Sequence, residues 1–388
     1  GMMGPFRILG LAFGIVGLSS CLDPVEDSGL SLTVEDGVTH IRSPGSPLWG
    51  DAYRPFSQAE ILGADLGDGA VTFARPITAS TGPEGIRYVL DTFGPTVYMF
   101  DASGELVGAV GRNGEGPGEF ATPPDLLVDE DGSFAVLDPG NFRISFFDPG
   151  GEFRGMVKTE VYLSQFESAG GGSFFAYPRN RTPASRTLGH EIGEEVPQIS
   201  LVSSDGETMG AFAPRHTAGG KMVDVYVNKL FLASLPGDSL LLSYQGLDRV
   251  EVWSPDGTLA RVMHRPAPFE LRPPLDEERD RQPGSGPSVG WEYDVLSSGL
   301  AVHPSGSYWA VLVPQGTARY RTPLFGESEI PELWAIELFD REGRWLSRQP
   351  LDFPCTNGVL DWESDGLYLL NPFEDAAVYR FDFRPLED

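Results

Sequence analysis

Four side chains with hard oxygen atoms stand just before short apolar runs of the sequence: Glu60, Asp125, Asn228 and Asn357. Carboxylate and amide oxygens are the ligands that Ca²⁺ prefers in proteins. If the runs that follow are the inner strands of one ring of sheets, the four side chains would lie near the mouth of its central channel. They then predict a calcium site there. The alternative is that Asp and Asn end loops here by bonding nearby backbone groups.

The histidines form no catalytic pattern. The chain has no G-x-S-x-G motif, and no histidine is spaced as a base beside a nucleophile, so a serine hydrolase is not indicated. His190, His216 and His264 fall in segments predicted to be loops on one face, where three imidazoles could bind a transition metal. Ordinary solvated histidines are the alternative. His303 lies in a turn and is expected to be structural.

Arginine and aromatic side chains in the same loops offer a different chemistry. The residues concerned are Arg179, Arg181, Trp291, Tyr293, Arg319, Tyr320 and Arg321. Such residues are the usual anchors of binding interfaces, and they predict a non-catalytic site for a protein, peptide or glycan. The run 275–282 is predicted to be a solvated, mobile part of the largest loop, with a short charged helix as the alternative.

Repeated hairpins must position these residues. One hairpin signature, a large apolar residue followed at once by a polar turn, occurs six times, at Phe100, Phe147, Val202, Trp253, Phe339 and Phe381. Another apolar hairpin precedes each copy, starting at Ile61, Leu126, Ser164, Leu230, Leu300 and Val359. Two hairpins make a four-stranded meander, and units of about 40 to 55 residues are typical of propellers. The prediction is an all-β, six-bladed β-propeller of antiparallel blades rather than a sandwich.

The last copy lacks a fourth strand, and an open ring would expose unpaired backbone groups. Residues 30–42 are strand-like and precede the first hairpin. We therefore predict that this N-terminal segment pairs near 376–384 and closes the ring, so that 30–388 forms one propeller.

Loop lengths divide the two faces of the predicted disc. Turns within each hairpin are short, whereas the connections on the other face contain every long segment: 74–87, 111–124, 178–197, 213–228, 264–298 and 313–333. Function concentrates in loops on a rigid scaffold, so this long-loop face is the predicted binding face. Loose loops that accumulate on a tolerant face are the alternative.

Composition limits the partners. The 388 residues include 48 Gly, 33 Pro and 24 Phe, which suits many short strands. The formal net charge of −28 makes nucleic acid and anionic membranes poor partners.

The N-terminal residues are predicted to be an export signal. Arg7 precedes an apolar run that is too short to span a membrane and that ends in LSSC at Cys21. This resembles the lipobox of bacterial lipoproteins, which implies a signal peptide over 1–21, lipidation of Cys21 and a tether over 22–29. The expected location is the bacterial cell envelope, periplasmic or surface side, with the membrane contacted only through the lipid. An ordinary signal peptide is the alternative. If Cys21 is lipidated, Cys355 has no disulfide partner in the chain.

Blade two carries a more specific pattern. Its glycine-rich entry GEGPGEF at 114–120, the Asp-Gly turn at Asp131, and the series Asp138, Asn141, Arg143 and Ile144 resemble the NHL-repeat and related six-bladed propellers of bacteria. The repeated blade architecture of that family extends over residues 60–385, whereas its specific motifs match only about 45 residues. The resemblance implies that the glycines and the Asn-Arg pair have a structural role, with a side chain that bonds the neighbouring blade. Some six-bladed propellers hold Ca²⁺ in the channel. A metal-dependent lactonase, hydrolase or lyase is therefore the alternative to a binding protein without a cofactor.

Overall fold

A computed structural model describes residues 30–63, 71–178, 197–218, 221–267, 269–280, 287–356, 358–364, 366–373 and 375–386. Over these residues the regular secondary structure is almost all β-strand, and six blades of four antiparallel strands each follow one another around a ring. No helix among the described residues is long and apolar enough to cross a membrane.

The strands are given in chain order. Three strands precede the first blade: β1 Ser31–Glu35, β2 Val38–Arg42 and β3 Phe56–Leu62. Blade one contains β4 Pro76–Thr81, β5 Arg87–Asp91, β6 Thr96–Phe100 and β7 Leu106–Val110. Blade two contains β8 Asp125–Val128, β9 Phe134–Asp138, β10 Arg143–Phe147 and β11 Phe153–Lys158. Blade three contains β12 Leu163–Ser168, β13 Phe174–Pro178, β14 Pro197–Val202 and β15 Thr208–Pro214.

The second half of the chain adds a helix and a small extra sheet. Helix α1 spans Lys221–Val227 and leads into blade four, which contains β16 Leu230–Leu235, β17 Ser239–Tyr244, β18 Arg249–Trp253 and β19 Leu259–His264. The next strands are β20 Leu275–Asp280, β21 Pro287–Asp294, β22 Gly299–Val302, β23 Tyr308–Pro314, β24 Arg319–Arg321, β25 Leu333–Asp340 and β26 Trp345–Pro354. Of these, β22, β23, β25 and β26 form blade five, and β20, β21 and β24 form the extra sheet. Blade six contains β27 Val359–Glu363, β28 Gly366–Asn371 and β29 Ala377–Phe383.

The hairpin signature marks a β-bulge in every blade. In each third strand the pairing with the outer strand shifts immediately before the large apolar residue. All six of these residues are buried: Phe100, Phe147, Val202, Trp253, Phe339 and Phe381. A bulge bends and twists its strand, and here it lies beside a buried apolar anchor. The repeat predicted from these residues is confirmed.

The Asn-Arg pair of blade two has a scaffold role, but it bonds the entry to its own blade and not the neighbouring blade that the resemblance implied. Arg143, only 6% exposed, donates to the carbonyl oxygens of Glu115, Gly116 and Glu119 at 2.8, 2.9 and 2.7 Å. Asn141 donates to the carbonyl of Gly114 at 2.8 Å. The pair therefore satisfies the backbone of the glycine-rich entry to its own blade.

The strand that closes the ring is N-terminal, but it is not the strand that was predicted. β3 pairs antiparallel with β29 and is the outer strand of blade six. Residues 30–42 instead form the hairpin β1–β2, which adds to blade four through a parallel pairing of β2 with β19. Both segments are short strand-like runs, and such a run alone does not distinguish an outer strand from an added edge strand.

Two local predictions were also wrong. The inner hairpin of blade one does not start at Ile61, because that residue lies in β3, and the inner strand is β4. The segment 74–87 is therefore not a loop. The run from Leu275 forms β20 rather than a solvated loop or a helix, because it pairs with β21 in the extra sheet.

Candidate functional site

The inner strands of the six blades surround a central cavity of about 240 Å³. They are β4, β8, β12, β16, β22 and β27, and each contacts the next around the ring, with β27 returning to β4. Side chains from all six line the cavity. The cavity is therefore the axis of the propeller.

Four carboxyl groups line this cavity: Asp125 on β8, Glu167 on β12, and Asp361 and Glu363 on β27. Leu300, Val302 and Pro304, at and beyond β22, form an apolar wall in blade five. No lysine or arginine is among the described lining residues. The acidic side chains therefore come from blades two, three and six, and blade five contributes only apolar groups to the described lining.

The carboxylates bond backbone groups of neighbouring blades. Inner strands of different blades do not pair with one another, so some of their N–H groups need other acceptors. Asp125 accepts from the N–H of Phe166 at 3.0 Å and from the hydroxyl of Thr78 at 3.2 Å, which links blades one, two and three. In the same way Asp361 accepts from the N–H of Ala79 at 3.1 Å.

Glu167 makes the corresponding link to blade four. Its carboxylate accepts from the N–H and the hydroxyl of Ser234 at 3.3 and 3.0 Å. These contacts give the acidic side chains a structural role in holding the inner ring together.

Burial and mutual repulsion raise the pKa values of these acids. Desolvation raises the pKa of Asp125 to about 7, against the opposing effect of its hydrogen bonds. The pKa of Glu167 rises to about 8, first through desolvation and then through the charge of Asp125. Desolvation and the charge of Glu363 raise the pKa of Asp361 well above its usual range. Near neutral pH the raised pKa values of Asp125 and Glu167 therefore favour the protonated form more than in water.

The cavity lies toward the short-turn face. Its lining includes Val128 and Glu363, which end β8 and β27, and the exposed Pro304 beyond β22. On the long-loop side it reaches Asp125, the first residue of β8. Sequence reasoning found Asp125 because it precedes an apolar run, but it missed the other three carboxyls, which lie within strands.

The three described members of the predicted calcium set, Glu60, Asp125 and Asn228, do not assemble. Glu60 lies on β3, an outer strand, and forms an ion pair with Arg87, so its predicted place before an inner strand was wrong. Asn228 is buried, and its amide donates to backbone carbonyls of His216 and Asp224, each at 2.7 Å. Asn357 lies outside the described residues. Among the described residues no group of three or more His, Cys, Asp and Glu is arranged to hold a metal.

Two of the three loop histidines are described, and each contacts a different side chain. His216 bonds the buried carboxylate of Glu251 at 2.9 Å. His264 contacts His40 across the β2–β19 pairing, with 3.1 Å between Nε2 and Nδ1. His303 bonds Ser305 at 2.7 Å within its turn, as expected for a structural residue. His190 lies outside the described residues.

The long-loop face carries an aromatic cluster, which we define as Tyr226, Trp291, Tyr293 and Tyr320. The ring of Tyr226 stacks on that of Trp291, with centroids 4.9 Å apart and planes 18° apart. It lies 6.3 Å from the rings of Tyr293 and Tyr320, at 23° and 16°. Tyr293 is buried, whereas the other three are half-buried. Of these, Tyr226 was missed, because α1 brings it to the extra sheet from a distant part of the chain.

The arginines of this region are used internally. Arg319, 3% exposed, bonds Asp294 at 2.8 Å and lies 3.1 Å from Glu292. Arg321 bonds Glu292 at 2.8 Å and Glu329 at 2.5 Å. Both therefore hold the extra sheet together. Arg179 and Arg181 lie outside the described residues, as does Cys21.

Comparison with known proteins supports the architecture. The family model DUF5128, described as a 6-bladed beta-propeller, matches residues 84–191. A DUF4221-family protein from Bacteroides vulgatus superposes with a TM-score of 0.52 at 10% identity, over 85% of this chain and 97% of that one. No curated protein matches the sequence. The chain is a six-bladed β-propeller.

Two enzymes of similar shape were also found. A gluconolactonase from Xanthomonas campestris has a TM-score of 0.49 at 14% identity, over 88% of this chain and 98% of that one. Virginiamycin B lyase from Staphylococcus aureus has a TM-score of 0.46 at 9% identity, over 85% and 100%. Likeness at this level carries no argument about activity. The more specific resemblance to NHL-repeat lipoproteins stays a prediction.

Proposed function

We propose that this protein is an exported propeller, anchored through a lipid on Cys21, that binds a protein, peptide or glycan on its long-loop face without catalysis. The observation that supports the proposal is the aromatic cluster, in which Tyr226, Trp291 and Tyr320 are half-buried rather than sealed in the core. Aromatic side chains contribute large contact areas to interfaces with little loss of conformational entropy.

The position of the cluster supports the same function. The extra sheet and α1 come from the connections 213–228, 264–298 and 313–333, all of which belong to the long-loop face. Buried bonds fix this module on the propeller, including that from the hydroxyl of Tyr293 to Gln245 at 3.1 Å. A rigid support of this kind lowers the entropic cost of binding.

The test compares two variants in the same assays. Residues 22–388, which contain every described strand, are applied to a glycan microarray and used to capture partners from native cell-envelope extract. The double variant Tyr226→Leu/Tyr320→Leu keeps apolar volume but removes the aromatic faces. The control is Phe93→Leu, a 76% exposed ring on the same face and outside the cluster.

We expect the double variant to lose at least tenfold in binding to any ligand that the wild type captures, and the control to bind normally. Equal thermal unfolding of the two variants shows that the fold is retained. A ligand held equally by all three proteins would contradict the proposal.

The second candidate is a Ca²⁺-dependent lactonase, other hydrolase or lyase that acts at the channel, where four carboxyls lie but are not arranged as a preformed metal site. Their oxygens suit Ca²⁺ chemically, although Asp125 and Asp361 already accept backbone N–H bonds. Cation binding would displace protons, because the pKa values of these acids are raised. Titration calorimetry with CaCl₂ in buffers of different ionisation enthalpy, on wild type and Asp361→Asn, tests this. Absence of saturable, buffer-dependent heat in the wild type would end this candidate.

A further inference from the structure

Among the described residues, the hairpin β1–β2 leaves one strand at the edge of blade four. The sheet runs in the order β1, β2, β19, β18, β17, β16, so no described strand pairs with the outer side of β1. All five residues of β1 are exposed. The apolar side chains of Leu32 and Val34 are 61% and 71% exposed.

The hairpin register determines which backbone groups point outward. The two-residue turn at Asp36 and Gly37, with φ of 51° and 84°, makes Glu35 and Val38 a hydrogen-bonded pair. Pairing alternates along an antiparallel ladder. The N–H and C=O groups of Thr33 therefore face β2, whereas those of Leu32 and Val34 face the free edge.

This edge lacks the features that usually block strand addition. Natural edge strands carry lysine, proline, bulges or inward charges. The sequence of β1, SLTVE, has no lysine or proline, and its register with β2 is continuous. Leu32 lies opposite Ile41, which is buried in the core shared with blade five. An apolar stripe thus continues from the core to the open edge.

We infer that a second copy of this chain pairs with β1 and joins two propellers through one continuous sheet. An antiparallel pairing about a two-fold axis at Thr33 places Leu32 opposite Val34 of the partner subunit. Both are outward-facing positions, so each such pair exchanges two backbone hydrogen bonds, and the two-fold generates a second pair. The twelve strands of two blade-four sheets then form one sheet.

Self-complementarity selects a second copy as the occupant. The same two positions supply both the donors and the acceptors, and the apolar side chains meet each other. Glu35 lies opposite Ser31 of the partner subunit, so like charges do not face each other directly. A five-residue strand buries less than the area of about 1,000 Å² typical of stable complexes. The net charge of −28 per chain also opposes association, so the dimer forms at high concentration and strengthens with salt.

Disulfide trapping tests the register. Thr33 of each copy would form a non-hydrogen-bonded pair with Cβ atoms about 5 Å apart, close to the separation a disulfide needs. Thr33→Cys in residues 22–388 is oxidised and run on a non-reducing gel, with Leu48→Cys (46% exposed, outside the strand) as the control. Cys355 is buried and is present in both.

We expect at least five times more covalent dimer from Thr33→Cys than from the control. Equal trapping in both variants would overturn the inference. A Thr33→Cys chain that stays monomeric when purified but cross-links to a different polypeptide in envelope extract would also overturn it, because the edge would then serve a foreign strand.

Sedimentation velocity provides the second measurement. It covers roughly 10 to 500 μM protein, because a weak dimer has a dissociation constant on the order of this range, and it is run in about 0.05 and about 0.5 M NaCl. Val34→Pro removes an outward N–H but no hairpin bond, and proline is tolerated at sheet edges. We expect this variant to raise the dimer dissociation constant at least tenfold. A wild-type chain that stays monomeric throughout, or a dimer that Val34→Pro leaves unchanged, would overturn the inference.

Discussion

Glu167 makes the stability of this propeller dependent on pH. Replacing it with glutamine removes a carboxyl whose pKa in the folded protein is raised to about 8 from 4.5, by desolvation first and the charge of Asp125 second. Glutamine keeps the shape of the side chain and an oxygen that can accept from Ser234. The substitution therefore changes mainly the charge.

A raised pKa in a carboxyl means that the folded protein keeps a proton that the unfolded chain has already lost. The resulting stabilisation is complete below about pH 4.5 and is lost as the pH rises toward 8. Each pKa unit corresponds to about 1.36 kcal/mol, so the whole shift would amount to about 5 kcal/mol. Glu167 is half-buried beside an open cavity, so water screens its charge and we expect about 2 kcal/mol.

Urea unfolding at intervals between pH 5 and pH 8 measures the effect. The free energy of unfolding of the wild type should fall by about 2 kcal/mol relative to Glu167→Gln over this range. At pH 8 the variant should melt about 2 to 4 °C higher. Glu105→Gln, at an exposed turn position, is the control and should follow the wild type. Parallel curves for wild type and Glu167→Gln would show that the channel does not perturb this carboxyl, and the reasoning would be wrong.

Three further predictions concern the scaffold. Arg319→Ala should lower the free energy of unfolding by about 3 to 5 kcal/mol, because it leaves the 5% exposed Asp294 without its main partner. Arg319→Lys should restore little of this stability, because lysine lacks the planar guanidinium fork. Chemical unfolding measures both variants. Burial disfavours ionisation of Glu251, but the bonds from His216 and the charge of Arg249 outweigh it and lower its pKa to about 2. Glu251→Gln should therefore cost stability at pH 7 that disappears as the pH falls from about 4.5 toward 2, as melting curves across that range would show. Gly206→Ala should cost at least about 1 kcal/mol more in folding stability than Gly237→Ala. Both glycines have positive φ, but only at Gly206 would a Cβ lie 2.5 Å from Val157 and 2.8 Å from a backbone oxygen. Thermal melts of the two variants measure this difference.

The sites show where local patterns stop being informative. Asp125 could be predicted as a channel residue because it stands at the start of an apolar run. Glu167 and Asp361 could not, since within a strand an acidic residue looks the same whether it faces the channel or solvent. The aromatic cluster could be predicted only in part, because Tyr226 reaches Trp291 through a helix that lies 65 residues earlier in the chain.

The sequence by itself determined the repeating blade. Each buried apolar residue before a polar turn, such as Phe147 or Phe339, specifies a bulged hairpin through contacts made within a few residues, and six copies of it imply the ring. Only the tertiary structure decided how the ring closes and where the added hairpin docks. β3 meets β29 across more than 300 residues, and β2 meets β19 across more than 200. Strand pairing uses the same backbone groups in every strand, so the alternation of side chains shows that a segment is a strand but not which distant partner it will find.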